Sequence, residues 1–325
     1  MEPTEQMSWF HPIDKHLLFT KNDKEDPRLG ECVQRLEKVE LQTLPDLESD
    51  IVIVGFPDDE GIALNGGRVG AQNAPKEIRT YLYKMTPHLQ STRLPKIVDL
   101  GDISDKEKPL AERHEKARET VRTLASAKKR WISLGGGHDY GYCDGAGFLD
   151  AYKGDAVLIN FDAHMDVRPT DKGLNSGTPF HRVLSEFSDS VHFAEVGIQN
   201  QCNSKAHIAW AKSKGAEIFT LDQVNEQGLL TVLKSFMQDK KSKKVFLSVD
   251  IDAFTSNEAP GCSQSWTTGL ITKDFLVALA WLIQEYDVRG LGLYEVSPPL
   301  DQDNRTSKLA ALIAHGFIFN QLRKA

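Results

Sequence analysis

The sequence predicts a three-layer α/β fold, with a mostly parallel sheet held between two layers of helices. Short apolar runs rich in Val, Ile and Leu alternate with helical patterns from residue 51 almost to the end, and no internal repeat or low-complexity linker interrupts them. The strand candidates are 51–55, 97–100, 131–134, 156–161, 191–196, 217–221, 245–249 and 290–294. Strands buried on both faces read as continuous apolar runs, not as alternation. The helical candidates between them are 75–84, 110–129, 179–187, 206–214, 229–238, 272–285 and 306–323. Such a succession makes right-handed β-α-β crossovers and covers both faces of a parallel sheet. Nothing after Asp50 reads as a boundary, so residues 51–325 are expected to form one catalytic domain. Residues 1–50, polar and charged from Lys21 onward, are expected to pack on it as a surface extension.

A chain of 325 residues buries a large core. Its formal net charge of −7 argues against broad binding to nucleic acid or anionic membranes. No window approaches the length of a membrane span, and the first residues lack a basic-then-apolar leader pattern. Cys32, Cys143, Cys202 and Cys262 are far apart, with no C-x-x-C spacing, and are read as reduced thiols. A cytoplasmic enzyme acting on a small molecule is the expectation.

Three segments stand at the carboxyl ends of predicted strands, where open parallel sheets place their sites. They are Gly135-Gly136-Gly137-His138-Asp139, Asp162-Ala163-His164-Met165-Asp166 and Asp250-Ile251-Asp252. Residues two apart on an extended chain project to the same face. Asp162, His164 and Asp166 can therefore converge, as can Asp250 and Asp252. With His138 they make two imidazoles and four carboxylates at one sheet edge. A lone D-x-D is more often a solvated turn, and a lone G-G-G-H a tight one. Together, two carboxylates and a His at one strand mouth would be costly without a cation. Six ligands suit two divalent ions about 3.5–4 Å apart. The absence of thiolate favours a hard or borderline ion such as Mn²⁺, although the spacing alone also admits Co²⁺, Ni²⁺, Fe²⁺ or Zn²⁺. Gly66-Gly67-Arg68-Val69-Gly70 and Gly135–Gly137 lack the spacing of a phosphate loop and are read as close-packed turns.

These residues resemble the ureohydrolases, the arginase and agmatinase superfamily. G-G-G-H-D, N-F-D-A-H-M-D and S-V-D-I-D are similar to its three metal motifs, and the stretch from Arg68 to Arg79 and the strand ending Tyr294-Glu295-Val296-Ser297-Pro298 agree. The resemblance implies an eight-stranded, mostly parallel sheet and two Mn²⁺ ions. It implies that His138, Asp162, Asp166 and Asp250 bind one ion, and Asp162, His164, Asp250 and Asp252 the other. Glu295 then matches the acid that receives a guanidinium or amidinium group. Many members are trimers or hexamers, so a homo-oligomer is expected.

The departures narrow the substrate. A His-Gly pair common in arginases and agmatinases reads Ser176-Gly177 here, and the turn after the last metal motif reads Ala259-Pro260-Gly261-Cys262-Ser263-Gln264. These variants resemble the formimidoylglutamase branch. Arg168, two residues beyond Asp166, fits a substrate carboxylate in a bidentate fork. Asn175, Ser176 and His181 are further candidates for substrate contact. The expected reaction is hydrolysis of N-formimidoyl-L-glutamate to L-glutamate and formamide by a hydroxide bridging the metals, with Asp166 moving the proton and Glu295 holding the cation. A guanidino hydrolase releasing urea, a metal-dependent deacylase and a metal-binding regulatory homologue are the alternatives.

Overall fold

The computed structural model describes residues 9–241 and 243–324; the first eight residues of the N-terminal segment lie outside the described residues. The strands are β1 (Phe10–His11), β2 (Val33–Arg35), β3 (Ile51–Gly55), β4 (Ile97–Ile103), β5 (Trp131–Leu134), β6 (Ala156–Phe161), β7 (Val191–Ile198), β8 (Glu217–Thr220), β9 (Lys244–Asp250) and β10 (Asp287–Tyr294). The α-helices are α1 (Glu60–Leu64), α2 (Ala74–Leu82), α3 (Leu110–Ser126), α4 (Tyr140–Ala151), α5 (Pro179–Phe187), α6 (Lys205–Ser213), α7 (Leu221–Gln227), α8 (Leu229–Met237), α9 (Thr272–Glu285) and α10 (Arg305–Lys324).

One sheet runs in the order β1-β4-β3-β5-β10-β9-β6-β7-β8, with β2 also on β4. Every pairing is parallel except β1 with β4. All eight expected strands are present. The sheet nevertheless has ten strands, not eight, because the N-terminal segment supplies β1 and β2. That segment therefore enters the sheet and is not confined to the surface. Two-residue and three-residue strands carry too little periodic signal to be read from sequence.

Alternate residues along each strand feed two cores. Ile51, Ile53, Ile132, Leu134, Val157 and Ile159 face α2, α8, α9 and α10. Val52, Val54, Val98 and Leu158 face α3, α4 and α5. On this second face a polar strip replaces the apolar pattern near the carboxyl ends of the central strands: Ser133, Ser248, Asn160 and Glu195 are all fully buried. The chain leaves β5 through α4 and skips past β10 and β9 to reach β6. The strand ends at this crossover hold the metal-type motifs, as expected for a doubly wound sheet.

Candidate active site

His138, Asp162, Asp166 and Asp250 form one cluster able to hold a metal ion; Asp162, His164 and Asp252 form another. The His138 Nδ1 atom lies 3.1 Å from Asp162 Oδ2, 3.2 Å from Asp166 Oδ2 and 3.1 Å from Asp250 Oδ2. His164 Nδ1 lies 3.1 Å from Asp252 Oδ2 and 3.5 Å from Asp162 Oδ1. The two oxygens of Asp162 thus face different imidazoles.

Local folding explains why these side chains meet. Asp162 accepts the backbone N–H of His164 (2.7 Å), and Asp250 accepts that of Asp252 (2.8 Å), so each D-x-[HD] segment turns sharply at its strand end. Asp166 and Glu295 adopt left-handed φ values of 46° and 63°. Such values are uncommon outside glycine and collect at functional sites. His138 is fixed on three sides. Its Nε2 meets Ser248 Oγ at 2.9 Å, its backbone N–H donates to Glu295 Oε1 at 3.0 Å, and its ring stacks on Tyr294 at 4.8 Å. The Tyr294 hydroxyl donates in turn to Asp144 (2.6 Å), which also accepts from Ser133 and Trp131.

Behind His138, the G-G-G-H-D loop is pinned by Gly137 N–H to Asp58 O at 2.8 Å and by Glu295 N–H to Gly136 O at 2.8 Å. Asp139 contacts the buried His114 at 2.7 Å, whose Nδ1 meets Arg182 at 3.0 Å.

The electrostatics ask for cations. Burial raises the carboxyls of Asp250 and Asp252, with mutual repulsion adding to it for Asp250; burial and the nearby Asp162 raise Asp166. Asp162 falls below its usual range against its burial because His138 and His164 hydrogen-bond to it. Burial pushes Glu295 up to about 8, opposed by the His138 N–H. His138 Nδ1 is buried and has no hydrogen-bond partner. An orphaned imidazole nitrogen facing three carboxylate oxygens fits a divalent cation.

Above the cluster lies a cavity of about 240 Å³, lined by His164, Asp166, Asp250, Asp252 and Glu295 below and by Asn65, Gly66, Gly67, Arg168, Ser176, Ser263 and Gln264 around them. Arg168 and Ser176 are thus brought to the site. Asn175 and His181 are not among the lining residues. Asn175 accepts the Gly177 N–H at 3.0 Å and closes a local turn, and His181 stacks on Trp210 at 4.2 Å.

Sequence reading missed Asn65. Its carbonyl oxygen accepts from Arg168, and its Nδ2 donates to Ser176 Oγ at 3.1 Å. Arg68 holds this wall in place by donating to the carbonyls of Cys262 and Ser263 at 2.9–3.0 Å. Asn65 carries neither charge nor metal-type atoms, and only the glycine-rich run that follows it marked the place, whereas Ser263 and Gln264 lie in the variant turn after the last metal motif. All four cysteines are unpaired.

A doubly wound sheet whose central strand ends gather two imidazoles and four carboxylates defines the class. The Arginase family model matches residues 49–319, and the chain belongs to that family. Within the family the likeness is to formimidoylglutamases. The chain is 34% identical to formimidoylglutamase of Streptococcus gordonii over 280 residues, covering 83% of each chain. It is 35% identical to that of Bacillus subtilis over 256 residues, covering 74% of this chain and 79% of the relative. The crystal structure of Trypanosoma cruzi formiminoglutamase with Mn²⁺₂ superposes with a TM-score of 0.81 at 28% identity, covering 92% of this chain and all of that one.

Proposed function

We propose that this protein hydrolyses N-formimidoyl-L-glutamate to L-glutamate and formamide. The observation that carries the reading is a single cavity containing metal-type carboxylates, Glu295 and Arg168, a cation with no ion-pair partner among the described residues. His138, Asp162, Asp166 and Asp250 would hold one divalent ion, and Asp162, His164, Asp250 and Asp252 the other. Mn²⁺ is the choice supported by the carboxylate-rich ligand set and by the Mn²⁺ named for the T. cruzi relative. Two such ions would supply a lowered pKa for the attacking water and polarisation of the group it attacks.

The chain's own residues do the remainder. Glu295 receives the amidinium of the formimidoyl group, which draws its buried carboxyl into the ionised form. Arg168, oriented by Asn65, grips a carboxylate of the glutamate moiety, with Ser176 beside it. These two contacts set the formimidoyl carbon over the cluster. Asp166 would take one proton of the attacking water and pass it to the departing nitrogen, and the second water proton follows as the formamide carbonyl forms, so that formamide and the ammonium form of glutamate result. Decarboxylated guanidino substrates would leave Arg168 unmatched.

The four unpaired thiols support the proposed cytoplasmic location. No described helix is long and apolar enough to cross a membrane. We further propose a homo-oligomer: Leu89, 99% exposed, with Leu94 and Leu312 also exposed, offers apolar surface for it, and sedimentation reads it out.

The test is one assay of Mn²⁺-loaded protein offered N-formimidoyl-glutamate, agmatine, arginine and guanidinobutyrate, with formamide and urea read separately. Formamide with glutamate is expected; urea from any guanidino substrate would sink the substrate proposal and keep the metal chemistry.

A further inference from the structure

Beneath the cluster a row of residues crosses the sheet in register: Ser133 on β5, Gly292 on β10, Ser248 on β9, Asn160 on β6 and Glu195 on β7. Asn160 and Ser248 lie two residues before Asp162 and Asp250, on the same face of their strands. Ser133 donates to Asp144 at 2.6 Å, and Ser248 meets His138 at 2.9 Å.

Glu195 has no such evident duty. It is fully buried, its Oε2 accepts from Asn160 Nδ2 at 2.8 Å, and its Oε1 has no partner. Among the described residues no arginine, lysine or histidine forms an ion pair with it. A buried acid with one orphaned oxygen costs several kcal/mol or stays protonated. An aliphatic residue would be less costly here, since Phe193, two residues earlier on the same face of β7, is buried and apolar. The acid stands against stability.

Its one contact points at the ligands. Asn160 donates both hydrogens of its amide to acids, one to Glu195 and the other to Asp162 Oδ2 at 3.3 Å. Turned over, that amide would aim its carbonyl oxygen at two carboxyl groups, so Glu195 selects the orientation that donates to Asp162. Asp162 Oδ1 is fixed independently by the His164 N–H at 2.7 Å. Both oxygens of Asp162, a carboxylate that belongs to both clusters, are thereby aimed.

We propose that Glu195, acting through Asn160, is a positioning residue for Asp162 and so sets the affinity of the metal centre. The inference rests on the metal reading above. Outer partners of metal ligands typically change affinity by about 10–100-fold when removed.

The full-length protein, stripped by chelation, is titrated with Mn²⁺ while the free aqueous ion is followed by electron paramagnetic resonance. Thermal melting of the metal-free forms runs alongside. Glu195→Leu is expected to melt no lower than the unmodified protein when metal-free, yet to bind Mn²⁺ about 10–100-fold more weakly. Asn160→Leu should weaken binding equally. Glu195→Gln keeps an acceptor for Asn160 without the charge and should bind Mn²⁺ nearly as the unmodified protein does. If Glu195→Leu melts lower but binds Mn²⁺ unchanged, the residue is merely structural and the proposal is overturned. Equal weakening in Glu195→Gln and Glu195→Leu also overturns it, because charge and not orientation would then be responsible. Absence of two-ion binding in the unmodified protein would remove the metal reading, and this inference with it; unchanged binding in the variants removes this inference alone.

Discussion

Arg168 is held by a neutral partner. Asn65 offers it a carbonyl oxygen, and no carboxylate among the described residues forms an ion pair with it, so its charge faces the cavity unmatched. A hydrogen bond to a charged group contributes about 1.5–3 kcal/mol, which is roughly 10–100-fold in binding. Arg168→Ala is therefore expected to raise KM for N-formimidoyl-glutamate by about that factor with a smaller change in kcat. Hydrolysis of an amidine lacking carboxylates should be unaffected; equal losses on both substrates would count against the contact. Arg168→Lys should recover only part, since a point charge cannot reproduce the planar fork. Asp144 makes the opposite case, a buried acid whose role is packing. Burial raises its carboxyl to about 6, against hydrogen bonds from Ser133, Tyr294 and Trp131. A raised acid favours its protonated form in the fold. Its contribution is complete below the unfolded value near 3.8 and is lost as pH rises through 6, amounting to about 3 kcal/mol. Denaturant unfolding of Asp144→Asn against the unmodified protein should show the variant gaining relative stability from about pH 4 to 7. Parallel curves would mean that the buried carboxyl titrates normally.

At the scale of elements, the loop between β5 and α4 shows why the motif needs its glycines. A Cβ on Gly136 would run into the carbonyl oxygen of Asp58, and one on Gly135 into the ring of Tyr294. Neither neighbour can yield. Asp58 O is bound by Gly137 N–H, and Tyr294 is wedged between its strand and His138. Gly136→Ala is expected to cost about 1–3 kcal/mol by overpacking and to weaken Mn²⁺ binding, because His138 and Glu295 move with the loop. Gly316→Ala in α10, where a Cβ meets nothing closer than 3.5 Å, should instead gain about 0.5–1 kcal/mol. Chemical denaturation of both variants separates crowding from backbone freedom. The metal half of the site was legible in the sequence for the reason this loop illustrates: its ligands come from short motifs at strand ends, where a period of two decides which side chains converge. Helices α1, α4 and α7 were not legible. Tyr140–Ala151 is apolar nearly all round and buried along most of its length, so it shows no amphipathic stripe. The cavity wall was legible at Arg168, at Ser176 and in the variant turn that holds Ser263 and Gln264. Asn65 reaches the site through a loop whose path depends on Arg68 gripping the Cys262 and Ser263 carbonyls some 195 positions away, a contact with no local signal.

The family match begins at residue 49, which by itself suggests that everything before it is dispensable to the molecule. The packing argues otherwise. β4 carries β1 against Asp102 and Ile103 and β2 against Ile97, Val98 and Asp99, so the N-terminal segment covers most of the β4 edge of the sheet. Phe10, Ile13, Leu29, Val39 and Leu44 from that segment are buried. At about 1.5–3 kcal/mol for each fully buried apolar side chain, their loss rivals the net stability of a typical domain. The same edge holds the buried Arg79, which reaches from α2 to Asp99 at 2.8 Å, to Asp102 at 2.5 Å and to the Gly101 carbonyl at 3.0 Å. Removing β1 would expose the half-buried Asp102 further and leave an unpaired strand edge, the feature that invites aggregation. We propose that the catalytic unit includes this segment. Deleting residues 1–48 is expected to lower the melting temperature sharply and to shift the protein to aggregates in gel filtration, whether or not Mn²⁺ is supplied, because β4 lies two strands away from β5 and the metal cluster. A truncated chain that stays dispersed, melts with the full-length protein and binds Mn²⁺ equally would return residues 1–48 to the status of a surface extension.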